Sequence, residues 1–281
     1  MVGLKRGRCF AIKNKSYVCV TSPHEPRMPE NNQKRVQATI NSFDILNRLL
    51  DADNPMGVTE ISDAVGLSKG VVYTHLSTLS ELGYVKKQQR KYVPSLGLLS
   101  LGEDARTRLP GFRAARHHVE NLARVTGEVS TLFVEENGRG VCVYIALGTD
   151  SWMPEYTCGS QIPLHVNAPG KAILASLNED RVDEIIEEHG LTRMTNETIT
   201  ISETLYSELR TIRDSGISFS REEQFADMIG VATAIEKNER GPRMAVGVCG
   251  PSRRLSGRYL EEDITGQVIS TAKSIEIELS E

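Results

Sequence analysis

The chain has 281 residues, 25% of them charged, and a formal net charge of −4, so it is long enough for two cores and too mixed in composition to be fibrous or wholly disordered. No apolar run approaches the roughly 18 residues that span a bilayer, and the first residues lack a cleavable signal pattern, which predicts a cytoplasmic protein with no membrane partner. Cys9, Cys19, Cys142, Cys158 and Cys249 are odd in number, scattered and without CxxC spacing, so no disulfide framework or zinc site is expected and the thiols read as buried and free.

Charge is divided along the chain. Residues 1–109 hold sixteen Lys and Arg against ten Asp and Glu, net +6, and residues 110–281 hold seventeen against twenty-seven, net −10. A basic first part suits a polyanion and an acidic second part avoids one.

Residues 1–33 read as an appendage. Lys5, Arg6, Arg8, Lys13 and Lys15 alternate with apolar residues before Ser22-Pro23-His24-Glu25-Pro26 breaks any regular element. The segment is either a basic arm that touches DNA or a disordered or over-extended start.

Residues 34–95 carry the order of a winged helix-turn-helix. A first helix is followed by a second that ends in Ala64-Val65-Gly66-Leu67-Ser68, with Gly66 free to take positive φ and Ser68 placed to cap the next helix. That third helix spans Lys69 to Leu82. Val72, Leu76 and Leu79 fall at i, i+4 and i+7 and form one buried stripe with Leu82 near its end.

Lys69, Gly70, Tyr73, Thr74, Ser77 and Thr78 then face outward, with no carboxylate before Glu81. Hydroxyls, an aromatic and a cation suit a helix lying among phosphates and base edges of a major groove, while the plainer reading is a solvated face of a helical hairpin. Tyr84 to Val93 adds two β-prone runs around a polar turn, with Lys86, Lys87, Gln89, Arg90 and Lys91 and no acid. A cationic hairpin beside a groove-facing helix is a phosphate clamp. The expected DNA-contacting set is therefore Ser68, Lys69, Gly70, Tyr73, Thr74 and Ser77 with those five wing residues.

Residues 96–111 read as a linker helix broken at Pro110, with too many leucines to be left in water, so they are expected to pack on a partner linker or on the DNA-binding domain. Residues 112–281 read as α/β. A helix from Phe112 to Val125 leads to strands Ser130–Val134 and Val141–Ala146 around the turn Asn137-Gly138-Arg139-Gly140. Helices follow from Gly170, from Asp180 behind the cap Asn178, and from Ser202 to Gly216. Strands at Ile217–Ser220, Val231–Ile235 and Met244–Cys249 and a helix from about Tyr259 to Leu279 complete a sheet flanked by helices, with a turn at residues 238–242. His117 and His118 are adjacent on a helix and are expected not to share a face, and no other histidine spacing suggests a metal.

Several dispersed segments stand in one order: Val58-Thr59-Glu60-Ile61-Ser62, Gly66-Leu67-Ser68-Lys69, Leu164 to Ala172, Arg221-Glu222-Glu223 and Gly250-Pro251-Ser252-Arg253-Arg254. In these the chain resembles the IclR family of transcriptional regulators, over everything after residue 34. The resemblance implies an α+β chain with a winged helix-turn-helix, a linker helix and a GAF-like effector-binding domain with an antiparallel sheet. It also implies a homodimer or tetramer, a palindromic operator in double-stranded DNA and a small-molecule effector, often an organic, aromatic or sugar-derived acid, with no cofactor.

By position the resemblance places the effector pocket at Ile162, Ala168, Pro169, Ser220, Met228, Gly230, Gly247 and Cys249. Backbone N–H groups where Asn167-Ala168-Pro169 enters a helix favour a carboxylate, although Pro169 has no N–H to give. Gly230 and Gly247 enlarge the pocket, favouring a ligand bigger than a two- or three-carbon acid, while the plainer reading is that Gly247 and Gly250 serve a strand and its turn.

An enzyme is disfavoured. Glu222 and Glu223 would point to opposite faces of a strand, and no nucleophile elbow, triad spacing or phosphate loop appears. His165 and Cys249 read as a satisfied histidine and a buried thiol rather than a dyad. A ligand-independent DNA-binding protein is the remaining alternative, and it leaves the acidic half without a purpose.

Overall fold

The computed structural model describes residues 35–236 and 241–280. The basic N-terminal segment, Cys9, Cys19 and most of the turn expected at 238–242 lie outside the described residues. The chain divides between Asp104 and Ala105 into two compact units.

In the first unit, α1 (Gln37–Leu50), α2 (Val58–Val65) and α3 (Lys69–Glu81) enclose one core with the hairpin β1 (Val85–Gln88) and β2 (Lys91–Pro94). Ile45, Leu49, Ile61, Val72, Leu76, Val85 and Tyr92 are buried together. Gly66 ends α2 at φ 71°, and Ser68 Oγ accepts the Val71 N–H at 3.4 Å, so the corner between α2 and α3 is made by the residues that were expected to make it. Leu82 departs from the reading. It sits past the last helical turn and is 60% exposed, since the chain turns away at Gly83 with φ 83°.

The helix α4 (Gly97–Thr107) follows and runs through the boundary between the units. Leu98 packs on the first unit's core, while Leu96 just before the helix and Leu99 and Leu101 within it stay exposed.

The second unit is built on a six-stranded antiparallel sheet in the order β5-β4-β3-β8-β7-β6. Its strands are β3 (Val129–Glu136), β4 (Arg139–Ala146), β5 (Gln161–Pro163), β6 (Ser218–Arg221), β7 (Met228–Ile235) and β8 (Met244–Pro251). Side chains alternate along β3. Leu132 and Val134 join one core with α5 (Phe112–Thr126) and α9 (Thr265–Glu278), and Phe133 joins the other with α6 (Ala168–Ser176), α7 (Glu179–His189) and α8 (Ser202–Ser215). Because helices cover both faces, β3 is buried over six successive residues and its alternation cannot be seen in hydropathy.

Several elements differ from the sequence reading. The β3–β4 turn contains only Asn137 and Gly138, both at positive φ, so the strands run longer than expected. The three-residue β5, with only three ladder positions on β4, was missed because so short a run has no measurable period. Residues Tyr259–Ile264 form a π-helical turn ahead of α9.

Candidate functional site

In the first unit, all eleven residues expected at DNA are exposed. Ser68, Lys69, Gly70, Tyr73, Thr74 and Ser77 share the side of α3 opposite the buried Val72, Leu76 and Leu79, and α1 braces that helix through Ser42 Oγ and His75 Nδ1 at 2.8 Å. The hydroxyl protons on this face are partly committed. Thr74 donates to the Gly70 carbonyl at 3.0 Å and Thr78 to the Thr74 carbonyl at 3.1 Å, which leaves oxygen lone pairs outward.

The wing is less uniformly basic than its sequence. Lys91 lies 3.5 Å from Glu60 of α2, whose carboxyl is held below its ordinary range by the Gly57 N–H and by that lysine. Lys87 instead lies 5.7 Å from the Tyr92 ring centroid, an arrangement that holds the chain in place and keeps the charge available. Lys86 and Arg90 extend from the same hairpin, with Gln89 at its tip at φ 56°.

In the second unit a cavity opens between the sheet and the start of α6. It encloses about 450 Å³ of atom-free space, solvent at its mouth included. Six of the eight residues expected there line it: Ala168, Pro169, Ser220, Met228, Gly230 and Cys249. Ile162 does not. It lies on the edge strand β5, packed with Leu164 in the core beneath α6. Gly247 does not either, because a Cβ there would come within 2.7 Å of both the Ala232 Cβ and the Val231 carbonyl oxygen. Close contact with β7, and no ligand space, is what that glycine provides. Gly230 does open the cavity, since a Cβ there would approach nothing nearer than 3.5 Å.

The sequence reading missed the aromatic wall. Trp152, Tyr156 and Phe225 line the cavity with Phe133. Trp152 meets Phe225 edge-on at 5.6 Å, and Tyr156 stacks on Phe225 at 6.3 Å with 7° between planes. The available signal was the chain's single tryptophan four residues before a tyrosine, in a segment without helical or strand period.

Polar groups around the mouth are neutral. Helix α6 begins at Ala168, two residues earlier than expected, because Asn167 caps it: its Oδ1 accepts the Gly170 N–H at 2.8 Å while its Nδ2 donates to Gln224 at 3.1 Å. Gly170 is satisfied and Pro169 lacks an N–H, so at this helix end the Ala168 N–H is left to face a ligand. Ser220 Oγ donates to the Val166 carbonyl at 3.4 Å.

The loop that carries Gln224 and Phe225 is anchored from below. Lys171, 1% exposed, binds Glu223 at 2.8 Å and Glu208 at 3.0 Å. The Thr195 and Thr198 hydroxyls donate to the Glu222 and Glu223 carbonyls, each at 2.7 Å. Burial raises the Glu223 pKa against the opposing pull of Lys171. Glu222 and Glu223 lie in this turn and not within β6, so the strand argument against a carboxylate pair does not apply, but Glu223 is consumed by its lysine.

His165 and Cys249 have separate partners. His165 Nε2 lies 3.0 Å from the Thr192 carbonyl, and burial lowers its pKa. The Cys249 thiol lies 3.9 Å from the Tyr156 hydroxyl, and burial pushes its pKa up to about 11, which keeps it protonated and unreactive.

A short helix-turn-helix with a basic wing, followed by an α+β unit with its own core and cavity, defines a helix-turn-helix transcriptional regulator with an appended domain. Residues 38–89 match the IclR helix-turn-helix domain model and residues 105–277 match the model described as "Bacterial transcriptional regulator IclR C-terminal". The chain belongs to the IclR family.

The chain is 29% identical over 229 residues to the HTH-type transcriptional regulator KdgR of Escherichia coli K12, covering 81% of this chain and 87% of that one. The Thermotoga maritima IclR crystal structure superposes with TM-score 0.76 at 25% identity, over 88% of this chain and all of that one. An IclR homolog from Microbacterium hydrocarbonoxydans, solved with 4-hydroxybenzoate, superposes with TM-score 0.73 over 86% of this chain and 99% of that one. At 17% identity it shows the shared fold. KdgR is a transcriptional regulator by name, and this chain is likewise a DNA-binding transcriptional regulator. Among the described residues, no helix is long and apolar enough to cross a membrane.

Proposed function

We propose that this regulator binds its operator through the outer side of α3 and the wing, and that a small organic acid carrying a planar ring occupies the cavity and sets operator affinity. The aromatic wall carries the proposal. Stacked and edge-on rings favour a flat ligand, because ring pairs at 4.5–7 Å add about 0.5–1.5 kcal/mol beyond area burial. The carboxylate is received by neutral donors, the Ala168 N–H with the Gln224 amide, and by the Ser220 hydroxyl once it turns from the Val166 carbonyl, so no cation is required. Relatives in the same fold class take such ligands, as the 4-hydroxybenzoate complex illustrates.

Two chains act together in this reading. The exposed Leu96 and Leu99, three positions apart where α4 begins, give that end of the helix an apolar patch that a second chain can cover. Paired heads would present their α3 helices to successive major grooves of a palindromic operator, about 34 Å apart. A ligand shifts operator binding only by its differential affinity for two arrangements of such a dimer, and a coupling of about 1–3 kcal/mol suffices.

The test uses the single tryptophan, which is already in the cavity wall. Titration with benzoate and 4-hydroxybenzoate is expected to change Trp152 fluorescence saturably, and pyruvate is expected to do so far more weakly. Equal response to all three, or response to none, would refute the ring-bearing ligand.

A further inference from the structure

His117 and His118 depart from the sequence reading. Neighbouring positions on a helix diverge by about 100°, yet these two rings tilt together, with centroids 3.9 Å apart. Both reach one oxygen of Glu278 near the end of α9: His118 Nε2 at 3.1 Å and His117 Nε2 at 3.5 Å. The donor atoms of all three side chains lie within 4.8 Å of one another. Among the described residues, no other trio of His, Cys, Asp or Glu converges in this way.

We propose that His117, His118 and Glu278 bind one divalent transition-metal ion, with Zn²⁺ as the best-fitting member. Ligand distances of about 2.0–2.2 Å around a tetrahedral ion set neighbouring donors about 3.4 Å apart, which is the spacing both histidines keep from the Glu278 oxygen. Two imidazoles and one carboxylate are a donor set for zinc and its transition-metal neighbours, whereas calcium and magnesium prefer all-oxygen shells. The side chains are 58%, 21% and 41% exposed, so the ion can enter from solvent and keep water on its remaining position.

The backbone beneath the trio is fixed before any ion arrives. Ala115 and Val119 of α5 and Ala272 and Ile275 of α9 are buried in one core. At Gly111, a Cβ would lie 2.9 Å from Leu279, so the residue after Glu278 is seated against the start of α5. Arg116, the nearest cation along the chain, is turned to Glu120 at 3.1 Å and does not compete for Glu278. The ion joins the last turn of α9 to the first turns of α5, and it stabilises the second unit through binding to the folded state alone.

The experiment titrates Zn²⁺ into the full chain, purified without an affinity tag and stripped with a chelator, by isothermal calorimetry alongside thermal unfolding. One equivalent should bind and raise the unfolding temperature. His117→Ala and Glu278→Gln should each weaken binding at least tenfold and abolish the thermal shift, while Cys158→Ser, which removes an exposed thiol, should leave both unchanged. Both variants alter exposed side chains, and unchanged far-ultraviolet dichroism verifies their folding. Absence of binding, undiminished affinity in the two variants, or loss of binding in Cys158→Ser would overturn the proposal.

Discussion

Replacing Lys171 with Met removes the cation and keeps most of the aliphatic stem. In the native protein the ammonium is fully buried and holds Glu223 at 2.8 Å and Glu208 at 3.0 Å. Glu208 has a side chain one-third exposed and can turn to water, but Glu223 is 9% exposed and cannot. One Glu223 oxygen already lacks a hydrogen-bond partner. The substitution therefore leaves a buried carboxylate without its cation, held by the Arg221 N–H at 3.2 Å, and breaking such a pair costs about 3–5 kcal/mol. With a urea slope of about 2 kcal/mol per molar, the midpoint should fall by about 1.5–2.5 M. Trp152 fluorescence follows the second unit by itself, so the two units need not unfold together. The double variant Lys171→Met/Glu223→Leu removes both charges and should recover most of the loss. A single variant costing under about 1 kcal/mol, or a double variant worse than the single, would refute the view that this pair is an internal anchor for the Gln224–Phe225 loop.

Two glycines should respond in opposite ways. Gly247→Ala forces a methyl to 2.7 Å from both Ala232 and Val231 and should cost about 1–3 kcal/mol in urea unfolding. Gly230→Ala meets only ordinary contacts and should leave stability within about 1 kcal/mol, while ring-bearing acids bind more weakly in the Trp152 titration. For His165, burial holds the folded pKa below the ordinary 6.5, so the unfolded chain takes up more protons in that window. Stability is complete above pH 6.5 and falls as pH drops through the folded value. His165→Gln should flatten this part of the pH–stability curve, and an unchanged slope would reject the assignment.

The first unit was legible because each of its signals is local. Gly66 and Ser68 make their corner without help from distant residues, and the Val72, Leu76, Leu79 stripe lies on one helix. The second unit yielded its elements but not its site. Nothing local to Gly247 distinguishes a glycine that admits a ligand from one that admits β7, because the deciding atoms belong to Ala232 and Val231. Trp152 and Phe225 are 73 positions apart and become a wall only when the loop after β6 is anchored by Lys171. His117 and His118 failed for a related reason. Helical spacing fixes where side chains start, and the carboxylate that draws both rings together comes from α9, 160 residues beyond His118.

The central claim is that the outer side of α3 and the wing meet the phosphates and bases of duplex DNA. It is tested most directly by fluorescence anisotropy on a genomic fragment recovered with the protein, measured across a series of salt concentrations for the native chain, Lys69→Ala and Lys87→Ala. Each substitution should weaken binding and reduce the slope of log affinity against log salt by about 1, as expected when one phosphate contact is lost. Native affinity and native slope in both variants would contradict the account.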